Sequence, residues 1–358
     1  MKIILPILLF TFLTVSCSNK NEILCVDVDA AMMTGMSTKL SEVVKTLDYV
    51  ALETDTKSLI GDKFEVALFE KDIAIISKRK IQLFDRSTGK FKQEILHWGR
   101  EPQAYASTMI GNGMVANEKK GYIFIKEWNK NISAYHVYTK ERNQIPVGST
   151  KSIAYVNDSS FVTTAFNFDG KQKVKMRFYE STQYVDSIPN HWFFELKSDA
   201  MVVIDNDEIF YRFDNRTFFK DATNDTVFAV TDYLNPTIVF KSSNMPQIEL
   251  REHPEIMAQK MKGMYFINNI MEDKDYIYYT VANQKKIYNL LYDKKSGEGG
   301  VLKGGLINDI DGKINLFPDH ITDCGEYVFI LNPATMSEED LVVCKLKADD
   351  NPMIVIGK

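Results

Sequence analysis

Polar clusters that could do chemistry are few in this chain of 358 residues. Asn308, Asp309 and Asp311 set three oxygen-bearing side chains just ahead of Gly312. Hard cations such as calcium take oxygen ligands, so this loop could hold one. Its spacing is not that of an EF-hand, and an Asx-type turn capping its own backbone is the stronger reading. Further on, His320 stands near Asp319 and Asp323. That trio could ligate a metal or act as acid and base, against the plainer reading of a surface turn. A third group, Arg100, Glu101 and Tyr105, follows His97 and Trp98 on a stretch punctuated by Gly99 and Pro102. An arginine beside aromatics suits a carboxylate or a sugar, and His97 could serve as a base. The plainer reading there is a tight connection with Trp98 packed in the core.

Other chemistries lose their usual support. The five histidines are scattered and show no zinc spacing. No G-x-S-x-G, Walker loop or G-x-G-x-x-G occurs. Net charge is −5 with both signs mixed along the chain, so there is no basic footprint for nucleic acid. Lys78-Arg79-Lys80 and Lys285-Lys286 read as solvated hairpin ends. Past Cys17 there remain Cys25, Cys324 and Cys344, which make no C-x-x-C and no disulfide framework. Cys324 and Cys344 could meet within one sheet, or stay free as small core residues.

The elements that must position these groups are strands. Aromatics make up 12% of the chain, and long amphipathic helices are scarce. Helical periodicity is plausible only over 39–47 and 253–264. An apolar run after a polar or small residue recurs at Asp72, Gly121, Ser160, Glu208, Asp275 and Glu326, at intervals of 49, 39, 48, 67 and 51 residues. Most intervals suit the roughly 40 to 50 residue period of propeller blades. An alternating strand ending in a turn follows, as in Ile81–Gly89 and Tyr288–Gly297, and a further strand leaves the turn. Each unit therefore reads as a four-stranded antiparallel meander.

One meander cannot bury both faces alone, but a radial ring of them can. The expected fold class is all-β, a six-bladed β-propeller of four-stranded antiparallel blades; the regular repeat argues against a pair of β-sandwiches. The long interval should hold an insertion around 236–263. Closure should join Leu47–Leu52 to a last sheet built from Leu341–Leu346 and Met353–Ile356.

The N-terminus carries an address. Lys2, an apolar stretch from Ile3 to Val15 and the small residue Ser16 make a secretory signal. Leu13-Thr14-Val15-Ser16-Cys17 resembles a lipobox, with Thr14 where Leu is usual. The expected organisation is a lipoprotein signal peptide over 1–16, a lipidated Cys17 and tether over 17–38, and a propeller over 39–358.

Several short motifs carry a family resemblance. They are Tyr49-Val-Ala-Leu-Glu-Thr54, Gly99-Arg-Glu-Pro-Gln-Ala-Tyr105, Asn224-Asp-Thr-Val-Phe228 and Asn308-Asp-Ile-Asp-Gly312 followed by Phe317-Pro318. In that order they resemble the six-bladed β-propeller lipoproteins abundant in Bacteroidota, which are loosely similar to NHL and TolB-type propellers. The second motif departs from the family loop, with Glu101 and Gln103 for glycines and Ala104 for an acid, so a site formed there in relatives would be altered here. The resemblance implies fold and location more than chemistry. Arg100, Glu101, Tyr105, Asn308, Asp309, Asp311 and His320 are the ligand-binding candidates, with no catalytic residue assigned. The leading expectation is a monomeric, non-enzymatic module held in the cell envelope, at the outer membrane, by lipid on Cys17. It would bind a protein, peptide or glycan and would need no cofactor unless calcium binds. The alternative is a metal-dependent hydrolase, lactonase or lyase with its site in the central channel.

Overall fold

The computed structural model describes residues 23–61, 63–77, 79–99, 101, 104–105, 113–199 and 207–358. The chain opens with β1 (Leu24–Asp27), α1 (Val28–Met33), β2 (Gly35–Met36) and β3 (Leu47–Ala51). The first blade follows as β4 (Phe64–Leu68), β5 (Asp72–Ser77), β6 (Lys80–Asp85) and β7 (Phe91–His97). The second is β8 (Met114–Asn117), β9 (Tyr122–Lys126), β10 (Asn131–His136) and β11 (Arg142–Pro146). The third is β12 (Ile153–Tyr155), β13 (Ser160–Thr164), β14 (Val174–Glu180) and β15 (Gln183–Pro189). The fourth is β16 (Glu208–Phe213), β17 (Arg216–Asp221), β18 (Thr226–Val230) and β19 (Leu234–Lys241). After α2 (Met257–Lys260) comes the fifth, β20 (Phe266–Glu272), β21 (Tyr276–Asn283), β22 (Lys286–Asp293) and β23 (Glu298–Leu302). The sixth begins with β24 (His320–Ile321) and β25 (Tyr327–Leu331), and after α3 (Glu338–Cys344) ends with β26 (Met353–Gly357).

Each blade is an antiparallel meander, and the blades form a six-bladed β-propeller, as expected from the repeat. Six buried clusters hold the ring, each lying between two neighbouring blades. The period-2 alternation of strands explains how. On β5, Ile73 and Ile75 face the sixth blade while Ala74 and Ile76 face the second. On β21, Tyr279 packs toward the fourth blade and Tyr278 toward the sixth. A blade apolar on both faces is stable only between two others, at about 1.5–3 kcal/mol for each large side chain buried.

Closure comes from pairing β3, which follows the N-terminal β1, α1 and β2, with the last strand β26. β3 is the outermost strand of the sixth blade, with Leu47 opposite Gly357 and Ala51 opposite Met353. Lys45 N donates to Lys358 O at 2.5 Å and Lys358 N to Thr46 O at 3.1 Å, which imitates a turn without a covalent link. The expected strand over 341–346 is instead part of α3 and its end. Ser337 Oγ accepts from Asp340 N, and Glu338, Glu339 and Asp340 supply negative charge to the first turn, so the local capping signal wins over the apolar run. Cys25, Cys324 and Cys344 are all free; Cys324 lies exposed in a turn and Cys344 is buried in α3, so no sheet joins them.

The fourth repeat is one strand out of the expected phase. Glu208-Ile-Phe-Tyr is an inner strand, β16, and the second strand of that blade is β17. Both are aromatic and apolar, and the Asp214-Asn215 hairpin with two positive φ angles separates them. Between 39 and 47 only Leu40–Glu42 turns, as a 3-10 helix. From 242 to 265 short 3-10 turns and α2 replace the expected longer helix.

The segment expected as a tether is folded from Leu24 onward. β1 pairs parallel with β19, β2 pairs parallel with β23, and Lys39 bridges Ile307. Val26, Val28 and Ala31 are buried against the fourth and fifth blades. The N-terminal strap thus runs around the rim from the fourth blade to the sixth. Among the described residues, no helix is long and apolar enough to cross a membrane.

Candidate functional site

The first strands of all six blades surround the propeller axis and line a cavity of about 490 Å3. Turns joining first to second strands gather at one end of the axis, and blade-to-blade connections gather at the other. This follows from strict alternation of strand direction within each meander.

Side chains at the turn end bridge opposite blades. Asp323, in the turn after β24, reaches across to the third and fourth blades. Its Oδ2 accepts from Tyr155 Oη at 2.6 Å and its Oδ1 from Arg212 Nε at 2.8 Å. Arg212 is itself fixed, donating to Val156 O at 2.7 Å and Thr217 Oγ1 at 2.8 Å, with its guanidinium 4.3 Å over the Tyr155 ring. His320 Nε2 lies 3.1 Å from Glu118 Oε1, which also accepts from Leu68 N at 2.6 Å. Glu272 completes this end, accepting from Tyr211 Oη at 2.9 Å and pairing with Lys294 at 2.7 Å. Together these groups floor the cavity.

The charges are unbalanced. Six carboxylates line the cavity, those of Glu65, Glu118, Glu208, Glu272, Asp319 and Asp323; its cationic lining side chains, among the described residues, are Arg212 and His320. Four of the carboxylates have ion-pair partners. Glu65 and Asp319 have no ion pair among the described residues. Walling by protein raises the Glu65 pKa, offset only partly by His320. Asp319 stays accessible from the cavity, but the protein around it displaces enough water to push its carboxyl up to about 6, although Ile330 N donates to its Oδ2 at 2.6 Å. Burial opposes the His320 imidazolium, but Glu118, Asp319 and Glu65 outweigh it and raise the His320 pKa. Two of the cavity's carboxyl groups, Glu65 and Asp319, are thus left without an ion pair among the described residues, and the lack of a close cation disfavours their ionised forms.

Near the crossover end sits a buried ion network between the third and fourth blades. Lys175 Nζ pairs with Glu208 at 2.9 Å and Asp221 at 3.0 Å. Arg251, from the 242–265 insertion, pairs with Asp207 at 2.9 Å and Asp221 at 3.0 Å, and Lys151 pairs with Asp207. Burial works against the Glu208 charge, but Lys151 and Lys175 outweigh it and hold its pKa at about 2. Three cations answer three anions, so this network fixes the cavity's wall and the insertion rather than offering spare charge. Around the same end, Trp98 and Phe193 are exposed on blade-to-blade connections, and Trp128 and Phe168 on the loops joining second to third strands of the second and third blades.

The residues singled out from sequence lie in three separate places. His320 is in the cavity, with Asp319 and Asp323, rather than on a surface turn. Asn308, Asp309 and Asp311 sit at the rim and bind the chain to itself. Asn308 Oδ1 caps Ile310 N and Asp311 N, as an Asx turn does, and Asn308 Nδ2 donates to Asp311 at 2.7 Å. Asp309 accepts from Ser41 N at 3.0 Å and Ser41 Oγ at 2.7 Å, pinning the strap. Glu101 contacts His97, and Tyr105 is fully buried with its hydroxyl donating to Ser77 O at 3.0 Å. Trp98, expected in the core, is 52% exposed. Arg100 and Cys17 lie outside the described residues. Among the described residues, no group of three or more His, Cys, Asp or Glu side chains is placed to hold a metal ion.

Sequence reasoning missed Glu65, Glu118, Tyr155, Arg212 and Glu272. A signal was present: each lies on, or directly after, the first strand of its repeat, one strand ahead of the apolar runs that revealed the period, except Arg212, which directly follows the fourth run on β16 itself.

The whole chain is similar to a crystal structure of a Bacteroides fragilis protein described as exported. The two are 14% identical, with a TM-score of 0.66, over 94% of this chain and 99% of that one. This likeness shows the shared propeller fold. Weaker likenesses are to the dihydro-heme d1 dehydrogenase NirN (12% identity, TM-score 0.37, covering 75% of this chain and 52% of that one) and to the RRP9 WD40 repeats (8%, 0.39, 82% and 78%). No curated protein matches the sequence. A family profile matches residues 23–358, the six blades and the strap together: the chain belongs to the DUF4934 family, a domain of unknown function.

Proposed function

We propose that this protein is a lipid-anchored, extracytoplasmic binding module whose central cavity takes a positively charged segment of a protein or peptide. The observation that carries the ligand class is the pair of carboxylates, Glu65 and Asp319, that face the cavity without an ion pair among the described residues. An ammonium or guanidinium group entering there would supply the missing charge and lower both pKa values. The exposed Trp98 and Trp128 at the crossover end would add apolar contact along an extended ligand. A glycan fits the aromatics but leaves the two carboxylates unanswered.

The signal stretch before Cys17 supports export and a lipid anchor, placed here at the outer membrane, and the Bacteroides fragilis protein of the same fold is itself described as exported. Two experiments test the reading. Cys17→Ala should move the protein from the membrane to the soluble fraction; unchanged fractionation contradicts the anchor. Calorimetric titration with lysine- and arginine-containing peptides, against acidic ones of equal length, tests the cavity; equal or absent binding of both contradicts it.

A second reading has its own observation. A carboxyl at about 6 beside a histidine is suited to proton transfer near neutral pH. A hydrolase or lyase using Asp319 and His320 would show turnover lost in Asp319→Asn, and such turnover would displace the binding reading.

A further inference from the structure

The turn end of the axis is shut. Asp323 of the sixth blade bonds across the axis to Tyr155 of the third and Arg212 of the fourth, at 2.6 and 2.8 Å. His320 of the sixth meets Glu118 of the second, which also accepts from Leu68 N of the first. Tyr211 of the fourth donates to Glu272 of the fifth at 2.9 Å. These bonds join all six blades at this end, so no chain threads through it. A ligand of the cavity comes by the crossover end and stops at the floor. That path suits the end of a chain better than its middle.

Above the floor the cavity has two unlike sides. First strands run from the crossover end to the turn end, so position along a strand gives depth. Tyr155 and Glu272 end their strands and Glu118 follows its own, at the floor. Glu65 is the second residue of β4, Asn268 the third of β20, and Asp319 directly precedes β24, all nearer the crossover end. A bulge between Ile267 and Asn269 takes Asn268 out of the ladder with β21, and bulges re-aim side chains in this way. Asn268 lines the cavity, and its amide makes no hydrogen bond among the described residues. Its neighbour Asn269 donates through Nδ2 to Asp319 O at 3.0 Å and holds the fifth blade to the sixth. The fifth, sixth and first blades thus offer one amide and two carboxyls in succession. The second, third and fourth blades line the opposite side with Met114, Ile153 and Phe210.

We propose that the cavity is a blind pocket for the free amino terminus of a polypeptide, with the α-ammonium at Glu65 and Asp319 and the first peptide group at Asn268. The α-ammonium supplies the cation that the two carboxyls lack and favours their ionised forms. Asn268 matches a peptide group, since its Oδ1 accepts from N–H and its Nδ2 donates to C=O. A lysine side chain brings the same ammonium on a stem without polar groups, and leaves Asn268 unanswered. The apolar side takes the side chain of the ligand's first residue. This inference rests on the binding reading above and narrows its ligand to a chain end.

Calorimetric titration with short peptides separates the sources of the ammonium. Each peptide is built from alanine, leucine, serine and glycine and has an amidated carboxyl end. The first has a free amino terminus, the second is Nα-acetylated, and the third is acetylated and carries one internal lysine. The first should bind, and acetylation should weaken it by about tenfold or more. Asn268→Ala removes no hydrogen bond of the fold; it should melt as wild type does and bind the first peptide about threefold or more weakly. If the third peptide binds as tightly as the first, or Asn268→Ala keeps wild-type affinity for the first, the amino-terminus assignment falls while the charged cavity stands. If the second binds as tightly as the first, or no peptide binds, the inference and the binding reading fall together.

Discussion

A carboxylate held near pKa 6 leaves a mark on stability. Asp319 in the fold keeps its proton up to about 6, whereas the same group unfolded releases it near 3.8. The folded state binds more protons in that window, so its stability falls as pH rises from about 4 to about 6 and levels off above. Asp319→Asn removes that loss. We expect the variant to melt higher than wild type at pH 7.5 and close to it at pH 4, measured by thermal denaturation across pH. The same change should weaken ligand binding, because a site that keeps unbalanced charge gives up stability for function. Lys175 behaves oppositely. Its removal leaves Glu208 and Asp221 buried with less compensation, and Lys175→Ala should cost about 3–5 kcal/mol in urea unfolding. These roles were only partly legible in sequence. His320 with its acidic neighbours stood out, but His320 and Glu118 are separated by 202 positions in the chain, and Tyr155 and Asp323 by 168. Linear spacing cannot display a convergence made by closing a ring.

Strands and turns were more legible, because their causes are local. The alternating runs and the aspartate- and glycine-bearing turns gave the meanders directly, and β3 was marked as the closing strand. Three elements misled for identifiable reasons. The run Leu341-Val-Val-Cys has strand composition, but the cap at Ser337 and the acids after it make it helical. In the fourth blade two aromatic strands resemble each other, so the repeat slipped by one. The strap was hidden because its pairing is parallel and distant, with β1 joining β19 across more than 200 residues. Closure offers an element-level test at Gly89. It has φ +70°, a Cβ added there would lie 1.9 Å from Ala51 O, and its own carbonyl accepts from Glu53 N at 2.8 Å. Gly89→Ala must strain the turn and push the end of β3 away, costing at least about 1 kcal/mol. Hydrogen exchange should then rise first in β3 and β26; uniform exchange across all blades would argue against β3 as the clasp.

At the size of the whole propeller, the proposed binding role depends on a rigid frame around the axis. Interblade cores make a rigid disc, and rigidity lets six short inner strands hold charges in a fixed pattern. The turn end of the axis is floored by Asp323 with Tyr155 and Arg212, and by His320 with Glu118. Cutting that floor with Asp323→Ala should loosen the third and fourth blades against the sixth, seen as faster hydrogen exchange near Tyr155 and Arg212 with the outer strands unchanged. The cavity's unanswered carboxylates make the central claim, and isothermal titration tests it most directly. The mature protein and the Glu65→Gln, Asp319→Asn double variant would be titrated with the tightest-binding lysine- or arginine-containing peptide. The account predicts binding by the native protein that weakens with salt and falls at least tenfold in the double variant, a loss of about 1.4 kcal/mol. Equal affinity of the two proteins for that peptide would contradict it.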